Sequence, residues 1–350
     1  MKKNFMIGFV VFMAMGLVAC TEQGSIRAGS ATGRSMLQLI PADSRCVVMV
    51  DVHRTVGTDA VQNALKDEKA RQKYEEFVKM AGLDPTKDIY FLAIGLRGVP
   101  TDKQQQGAII INLRYSKDVL LAKLKDMAKD VREETYNGVT IYSGGEAGRP
   151  EGMGPAGAFL DDSNIVLGSA KGVRAVIDVY QKKADPVSKS PEMKKLLKSV
   201  NASANVWAAV AIPEGMLKLL AEKNPMLKDL VGLTGLTLSF DYANKILTVE
   251  MQSLGGTKEQ NKTLAERLSA LKSLGALAAA KLPFQGELLN TIEISSGADQ
   301  VKLYARLPHE LLQKIQTMAR EKLGGMIQMN PPAPKEEKKE VKKEGAEVKK

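Results

Sequence analysis

Residues that can transfer protons, attack a substrate or bind a metal are scarce in this sequence. It contains two histidines, His53 and His309, and two cysteines, Cys20 and Cys46. It contains no Cys-x-x-Cys, His-Glu-x-x-His or Gly-x-Ser-x-Gly pattern, and no two histidines lie at metal-ligand spacing. We therefore expect no catalytic residue, no metal site and no cofactor.

One pair of residues could still act together as an acid and a base. Asp51 and His53 are two positions apart in a segment that reads as a strand, so their side chains should point to the same face. An imidazole oriented by a carboxylate could serve a hydrolase with an unfamiliar site. The solvated face of a strand end is the commoner arrangement. His309, beside Pro308, is expected to be exposed in the first turn of a helix.

Two loops match ligand-binding patterns by letter only. Residues 152–157 (GMGPAG) have the spacing of a dinucleotide-binding loop, but a strand-like segment follows and Pro155 lacks a backbone amide. Residues 161–164 (DDSN) lack the alternating acidic positions, the glycine and the terminal glutamate of a calcium loop. We expect a loose connecting loop and a solvated turn, respectively.

The first twenty residues read as an export signal. Lys2 and Lys3 precede an uncharged apolar run that ends at Val18. The run has about 14 residues, fewer than the roughly 20 that a transmembrane helix needs. It leads into Leu17-Val18-Ala19-Cys20, which resembles the lipobox of bacterial lipoprotein precursors. The resemblance implies that signal peptidase recognises Leu17, Val18 and Ala19 and cleaves before Cys20.

The same resemblance implies lipid on the mature amino terminus. Diacylglycerol would be attached to the Cys20 sulfur, and an acyl chain such as palmitate to the new amino group. Each buried methylene contributes about 0.8 kcal/mol, so several chains anchor a protein firmly to membrane lipid. Thr21 is not the Asp that retains enterobacterial lipoproteins in the inner membrane, so the resemblance favours the outer membrane, facing the periplasm. The alternative is an ordinary or uncleaved signal peptide that contains a cysteine.

The composition argues against nucleic acid as a partner. Loss of Lys2 and Lys3 lowers the formal net charge from +10 to +8, but aromatic residues make up only 5% of the chain. Few aromatics and an exported location argue against nucleic acid and favour anionic lipid head groups as the partner of the basic charge.

With Cys20 acylated, Cys46 has no partner in the chain, and we expect a buried, inert thiol at a strand start.

Hairpin signals and amphipathic helices predict an α+β fold. Asn137-Gly138 is the strongest hairpin signal, because both residues tolerate the positive φ of a type I′ turn. Thr257 and Gln260 form a capping box for a long helix that carries Leu264, Leu268 and Leu271. A strand is expected over residues 47–52, and one polar helix over residues 58–80.

The order of elements repeats along the chain. Each half reads strand, helix, two strands, helix, two strands, helix, which predicts two pseudo-repeated halves of mostly antiparallel sheet with amphipathic helices packed on one face. The expected divisions are a signal peptide (1–19), a lipidated cysteine with a flexible tether (20–35), a first half (36–185), a connector (186–204), a second half (205–325) and a disordered Pro/Lys/Glu tail (326–350).

These features predict a membrane-anchored envelope lipoprotein that acts as a non-enzymatic binding or scaffolding module. Its further partner would be an envelope protein or a hydrophobic ligand. The alternative is a carrier or chaperone for lipid or other hydrophobic cargo, because helices across a sheet can enclose a groove for an acyl chain. A hydrolase with an unrecognised site is the third hypothesis. The ectodomain resembles exported bacterial proteins of unassigned function.

Overall fold

One antiparallel sheet of twelve strands forms the centre of the molecule. The computed structural model describes residues 31–98, 106–127, 131–144, 152, 154–278, 283–315 and 317. The strands are β1 (Ser44–Asp51), β2 (Ile89–Arg97), β3 (Gln106–Leu113), β4 (Val131–Tyr136), β5 (Val139–Gly144), β6 (Pro155–Phe159), β7 (Asn164–Ser169), β8 (Val206–Ala211), β9 (Leu233–Ala243), β10 (Ile246–Gly255), β11 (Ile292–Ser296) and β12 (Gln300–Pro308). Their order across the sheet is β11-β12-β10-β9-β8-β1-β2-β3-β7-β6-β5-β4.

Helices of very different length connect the strands. They are α1 (Ala31–Leu37), α2 (Val52–Val56), α3 (Asp59–Ala64), α4 (Glu68–Ala81), α5 (Pro85–Asp88), α6 (Lys117–Met127), α7 (Ala170–Tyr180), α8 (Pro191–Ser199), α9 (Met216–Lys223), α10 (Lys258–Ala278), α11 (Pro283–Asn290) and α12 (309–315). Residues Pro225–Leu230 form a 3-10 helix between α9 and β9.

The predicted α+β class with antiparallel sheet is confirmed, and the strand order shows how the two halves correspond. β1 and β8 pair antiparallel at the middle of the sheet, with Val48 opposite Ala208. We call this contact the seam. Outward from it run β1-β2-β3-β7-β6 on one side and β8-β9-β10-β12-β11 on the other. The first half also has the hairpin β4–β5, which was predicted from Asn137-Gly138 and gives this half two strands more than the repeated order of elements.

That hairpin forms where the sequence signal placed it. Asn137 and Gly138 have φ values of 50° and 79°, as a type I′ turn requires. The hairpin extends the first half beyond β6, so β4 becomes one edge of the sheet and β11 the other. Arg132, Glu133 and Glu134 of β4 are exposed at that edge.

The larger core lies on one side of the sheet, which we call the covered face. Val47, Met49 and Trp207 point to this face and are at most 3% exposed. They pack beneath α1, α7 and α8, through the buried side chains Met36, Val173, Val176, Ile177, Met193 and Leu196. Burial of these apolar side chains on one continuous surface is the main favourable contribution to folding.

The opposite side, which we call the open face, has helices only toward its ends in the described part of the chain. Val52 and Val56 of α2 pack on Val50 and Leu92. α10 packs on β11 and β12 through Leu264 and Ala265, and Leu311 and Leu312 of α12 pack on Tyr242, Leu247 and Leu307. The helices therefore lie on both faces of the sheet, whereas the sequence predicted helices packed on one face.

Several boundaries differ from expectation because caps and packing decide them. The helix predicted over 58–80 is divided, since Asp67 accepts a hydrogen bond from the Ala70 amide and starts α4 as a separate helix. α1 begins at Ala31, inside the segment predicted as a tether, because Met36 of that helix is buried on the covered face. No sequence pattern predicted α11.

Candidate functional site

The most unusual surface of the molecule is a row of apolar side chains on the open face. Neighbouring strands place their members directly opposite one another, so that they share one face. The row runs through Leu167–Ile109, Ile109–Ile94, Ile94–Val48, Val48–Ala208, Ala208–Leu238 and Leu238–Met251. It crosses seven strands, from β7 to β10.

A second row on the same face widens this surface. It is formed by Leu96, Cys46, Val210 and Leu236, again opposite one another on adjacent strands. We call the eleven residues of the two rows the open strip. Nine of them are half-buried, while Leu236 and Met251 are 37% and 39% exposed.

No described helix crosses the middle of this face. α8, which contacts β8 and β9, packs on the covered face, where its Leu196 lies against Gly235. The helices on the open face cover β11 and β12, the parts of β1 and β2 around Val50 and Leu92, and the ends of β9 and β10 nearest their hairpin turn. The strip between them is an apolar surface without a charged side chain.

Cys46 lies within the open strip and is the third residue of β1. It is half-buried and unpaired, and burial raises the pKa of its thiol. A raised pKa reduces the thiolate fraction at neutral pH, which supports the expectation of an inert thiol. Cys46 therefore contributes apolar surface rather than a nucleophile.

The structure separates the pair proposed as an acid and a base. β1 ends at Asp51, whose carboxylate accepts a hydrogen bond from the Arg54 amide at 2.9 Å and so caps α2. His53 lies in that helix, exposed, with its ring 6.2 Å from the Tyr90 ring. The expectation that both side chains share a strand face was wrong, because the Asp51 cap ends the strand. Burial raises the pKa of Asp51.

His309 begins α12, as expected, but it is half-buried rather than exposed. Its Nδ1 lies 3.2 Å from the Tyr242 hydroxyl and its Nε2 lies 2.8 Å from the Gln313 side-chain nitrogen. These contacts attach the start of α12 to β9. His309 and His53 thus occupy different structural positions and share no site.

The two loops that matched ligand-binding patterns have structural roles. Strand β6 begins at Pro155, and the Ala170 and Lys171 amides at the start of α7 donate to the Gly154 and Gly152 carbonyls at 3.0 Å. Asp161 accepts hydrogen bonds from the Ser163 amide and the Asn164 side chain, which closes an exposed turn. Within the described residues, no group of three or more His, Cys, Asp or Glu side chains could hold a metal ion.

The residues predicted for processing and anchoring, Leu17, Val18, Ala19 and Cys20, lie outside the described residues, as does the tail over 326–350. Among the helices that are described, none combines the length and the apolar character needed to cross a bilayer. The proposed anchor therefore stays a prediction of the sequence.

Sequence analysis did not identify the open strip. A signal was present: β1, β2 and β3 are apolar at consecutive positions, which indicates two apolar faces rather than one. Such strands are usually covered on both sides, and sequence alone does not show that helices leave the middle of one face open.

Comparisons with known proteins give a family and a set of similar structures. The family described as "Protein of unknown function (DUF3352)" matches residues 96–320. Crystal form III of TP0453 is similar at a TM-score of 0.47 and 10% identity, covering 81% of this chain and 97% of that chain. Crystal form I gives a TM-score of 0.45 at 9% identity, covering 81% and 96%. No curated protein matches the chain.

Proposed function

We propose a role for this chain, which belongs to the DUF3352 family of proteins of unknown function, from its own geometry. It acts as a membrane-anchored envelope lipoprotein that binds a partner without catalysing a reaction. The anchor follows from the lipobox at Leu17-Val18-Ala19-Cys20. The binding surface is the open strip, and the strip is the observation that carries the proposal.

The size and chemistry of the open strip indicate a binding surface. Contiguous exposed apolar surface of this kind is rare on monomeric proteins, because each exposed aliphatic side chain forgoes the free energy of burial. Here the uncovered members lie side by side on consecutive strands instead of being scattered singly. A ligand that covers them recovers that free energy.

An acyl chain fits this surface better than a protein partner does. Protein interfaces are enriched in Tyr, Trp and Arg at their centres, whereas the open strip contains none of these. Seven strands at about 4.8 Å spacing extend over about 29 Å. One leaflet of a bilayer's hydrocarbon core is about 15 Å thick, so the strip can accommodate a chain of that length. Carriage of hydrophobic cargo is thus the favoured form of binding, and scaffolding of a protein is the second.

Ligand binding can be tested on the full mature chain with Cys20→Ser, which carries no lipid of its own. Leu236→Glu and Met251→Glu each place a charge in the strip at a position that is already exposed. We expect each to weaken binding of a dansyl-labelled fatty acid by about tenfold or more, because an uncompensated charge opposes an apolar ligand. The matched control is Val119→Glu on α6, which is 48% exposed and lies outside the strip.

Native mass spectrometry of the same Cys20→Ser chain, purified without detergent, supplies a second readout. Co-purified lipid supports carriage. An empty protein whose fatty-acid affinity is unchanged by both strip variants contradicts the assignment of the strip. Crosslinking of the strip to one envelope protein in intact cells supports scaffolding instead.

The anchor has its own test. Wild-type protein is expected in the membrane fraction after a high-salt wash, and the Cys20→Ser variant in the soluble fraction, because acyl chains resist salt whereas electrostatic contacts do not. Mass spectrometry of the amino-terminal peptide measures the lipid directly. Retention of Cys20→Ser at full length through the wash contradicts lipid anchoring.

A further inference from the structure

Four large apolar side chains protrude from the helices of the second half. Leu219 of α9 is 63% exposed and Met226 of the 3-10 helix 84%, while Leu271 and Leu274 of α10 are each 61% exposed. We call these four residues the helical patch. None of them belongs to the open strip.

Contacts between the helices join the segments that carry the helical patch. α9 packs against the 3-10 helix, and an ion pair between Asp229 and Arg267 joins that helix to α10. Met226 is three residues before Asp229, and Leu271 is four residues, or about one turn, after Arg267. The patch is therefore held by packed helices rather than by a loop.

The sequence of α10 continues its apolar stripe beyond the core. Leu264 is buried and Leu268 packs beside it on the sheet. Leu271 follows at the same helical spacing but is exposed, and Leu274 extends the exposed surface by about another turn. From Ser269 to Gly275 the one charged side chain is Lys272, and its Nζ donates to the Ile292 carbonyl. A helix end that faced only water would be expected to carry polar residues here.

The three helices that carry the helical patch have a net positive charge. The three helices carry seven Lys or Arg residues and four Asp or Glu residues, a net charge of +3. Two of the carboxylates are paired, Asp229 with Arg267 and Glu266 with Lys262. Lys218, Lys223 and Lys228 are exposed and form no ion pair within the described residues. Long lysine side chains beside apolar ones suit the interface of a membrane, where the amine reaches head groups.

We propose that the helical patch lies in the head-group region of the bilayer that holds the lipid anchor. The inference rests on the proposed envelope location but not on ligand binding by the open strip. Ten residues separate Cys20 from Ala31, and at most about 3.3–3.6 Å each they span up to about 35 Å, which keeps the body near the surface. The patch orients the body on a membrane to which the anchor only tethers it.

Vesicle flotation tests the inference with the full mature chain carrying Cys20→Ser. Vesicles of equal phosphatidylglycerol and phosphatidylethanolamine should bind this protein. Leu271→Gln with Leu274→Gln should lower the partition coefficient by about tenfold or more, because two apolar contacts with lipid are lost. Val119→Gln on α6 is the control, since it removes an exposed apolar side chain that lies outside both the helical patch and the open strip. It should change partitioning by less than about twofold.

A charge variant separates the lysines from the apolar contacts. Lys218→Glu with Lys223→Glu should reduce binding to the anionic vesicles by about tenfold or more and leave binding to phosphatidylcholine vesicles unchanged. Absence of vesicle binding by the Cys20→Ser chain overturns the inference, and so does equal binding by the Leu271→Gln, Leu274→Gln variant. Circular dichroism establishes that each variant is folded. Failure of vesicle binding leaves the fatty-acid result on the open strip standing, so the two proposals fail separately.

Discussion

At the scale of single residues, Asp84 shows how one carboxylate can organise a connection. Its oxygens accept hydrogen bonds from the Thr86 amide at 3.0 Å and the Thr86 hydroxyl at 2.6 Å, and from the Tyr74 hydroxyl of α4. Lys87 Nζ lies 2.8 Å away. Partial burial opposes ionisation, but the hydrogen bonds from Lys87, Thr86 and Tyr74 outweigh it and hold the pKa of Asp84 well below its ordinary 3.8.

This arrangement predicts an acid-sensitive contribution to stability. Asp84→Asn should lower the free energy of unfolding by about 1–2 kcal/mol at neutral pH, because it removes a charged cap. A carboxylate whose pKa is depressed by folding stabilises the fold fully above its unfolded value. The difference between the variant and wild type should therefore shrink as pH falls below about 4. Urea unfolding at a series of pH values measures it, and a difference independent of pH contradicts the assignment.

At the scale of elements, α7 approaches the sheet more closely than a side chain would allow. A Cβ added at Gly168 or Gly172 would lie 2.3 Å from the carbonyl oxygen of Gly107 in β3. Ser169 caps this helix by accepting from the Gly172 amide at 3.1 Å. Glycine at these positions lets the capped end of α7 rest on β3, and this contact seals one end of the main core.

Gly172→Ala is therefore expected to destabilise the protein by about 1–3 kcal/mol, because the helix must move away from β3. Gly286→Ala in α11 is the matched control, since a Cβ there meets nothing within 4 Å. Better helix propensity should make the control neutral or more stable by up to about 1 kcal/mol. Thermal unfolding of both variants measures the difference, and equal stability contradicts the account of the close approach.

The elements that sequence patterns predicted well are those decided by local chemistry. The turn at Asn137-Gly138 and the reciprocal Thr257–Gln260 capping box both formed as expected. Helix α10 shows the limit. Its stripe predicted that Leu271 would face inward with Leu264 and Leu268, yet Leu271 is exposed because the helix continues past the surface it covers. How far a helix overlaps its sheet depends on tertiary structure that a stripe does not encode.

At the scale of the whole molecule, the seam makes one sheet of two halves. β1 and β8 pair although about 160 residues separate them, and the Asp51 amide donates to the Asn205 carbonyl at 2.8 Å. Arg54 reaches across the same boundary. Its Nη1 donates to the Ser203 carbonyl at 2.6 Å and its Nη2 to Asp241 at 3.0 Å. Contacts of such sequence separation leave no local pattern, so the sequence predicted two halves but not their joining.

Arg54→Ala should lower the free energy of unfolding by about 1 kcal/mol, because it removes two hydrogen bonds between the halves. Arg71→Ala is the control: its ion pairs with Glu68 and Glu75 lie within α4 at the solvent-exposed surface, so we expect a smaller change than for Arg54→Ala. The single tryptophan, Trp207, is buried in β8 beside the seam and reports its unfolding by fluorescence. An Arg54 variant as stable as wild type contradicts a stabilising role.

The open strip could not be predicted from the sequence either, because it depends on the arrangement of the whole fold. Val48, Ile94 and Leu238 are ordinary strand residues, and each could be part of a filled core. What distinguishes their shared face is that α2 packs on only one end of it, against Val50 and Leu92, with Val48 at the margin of that cluster. That property depends on where every connection of the fold runs.

The exposed charged residues on the edge strand β4 limit how copies of this protein can associate. Stacking molecules into a fibril through their sheets requires both edges of each copy, β4 and β11, to pair with a neighbouring copy. Arg132, Glu133 and Glu134 disfavour that pairing, because ionised groups would lose their hydration in the new ladder. Any joining of sheets between neighbouring copies is thus self-limiting.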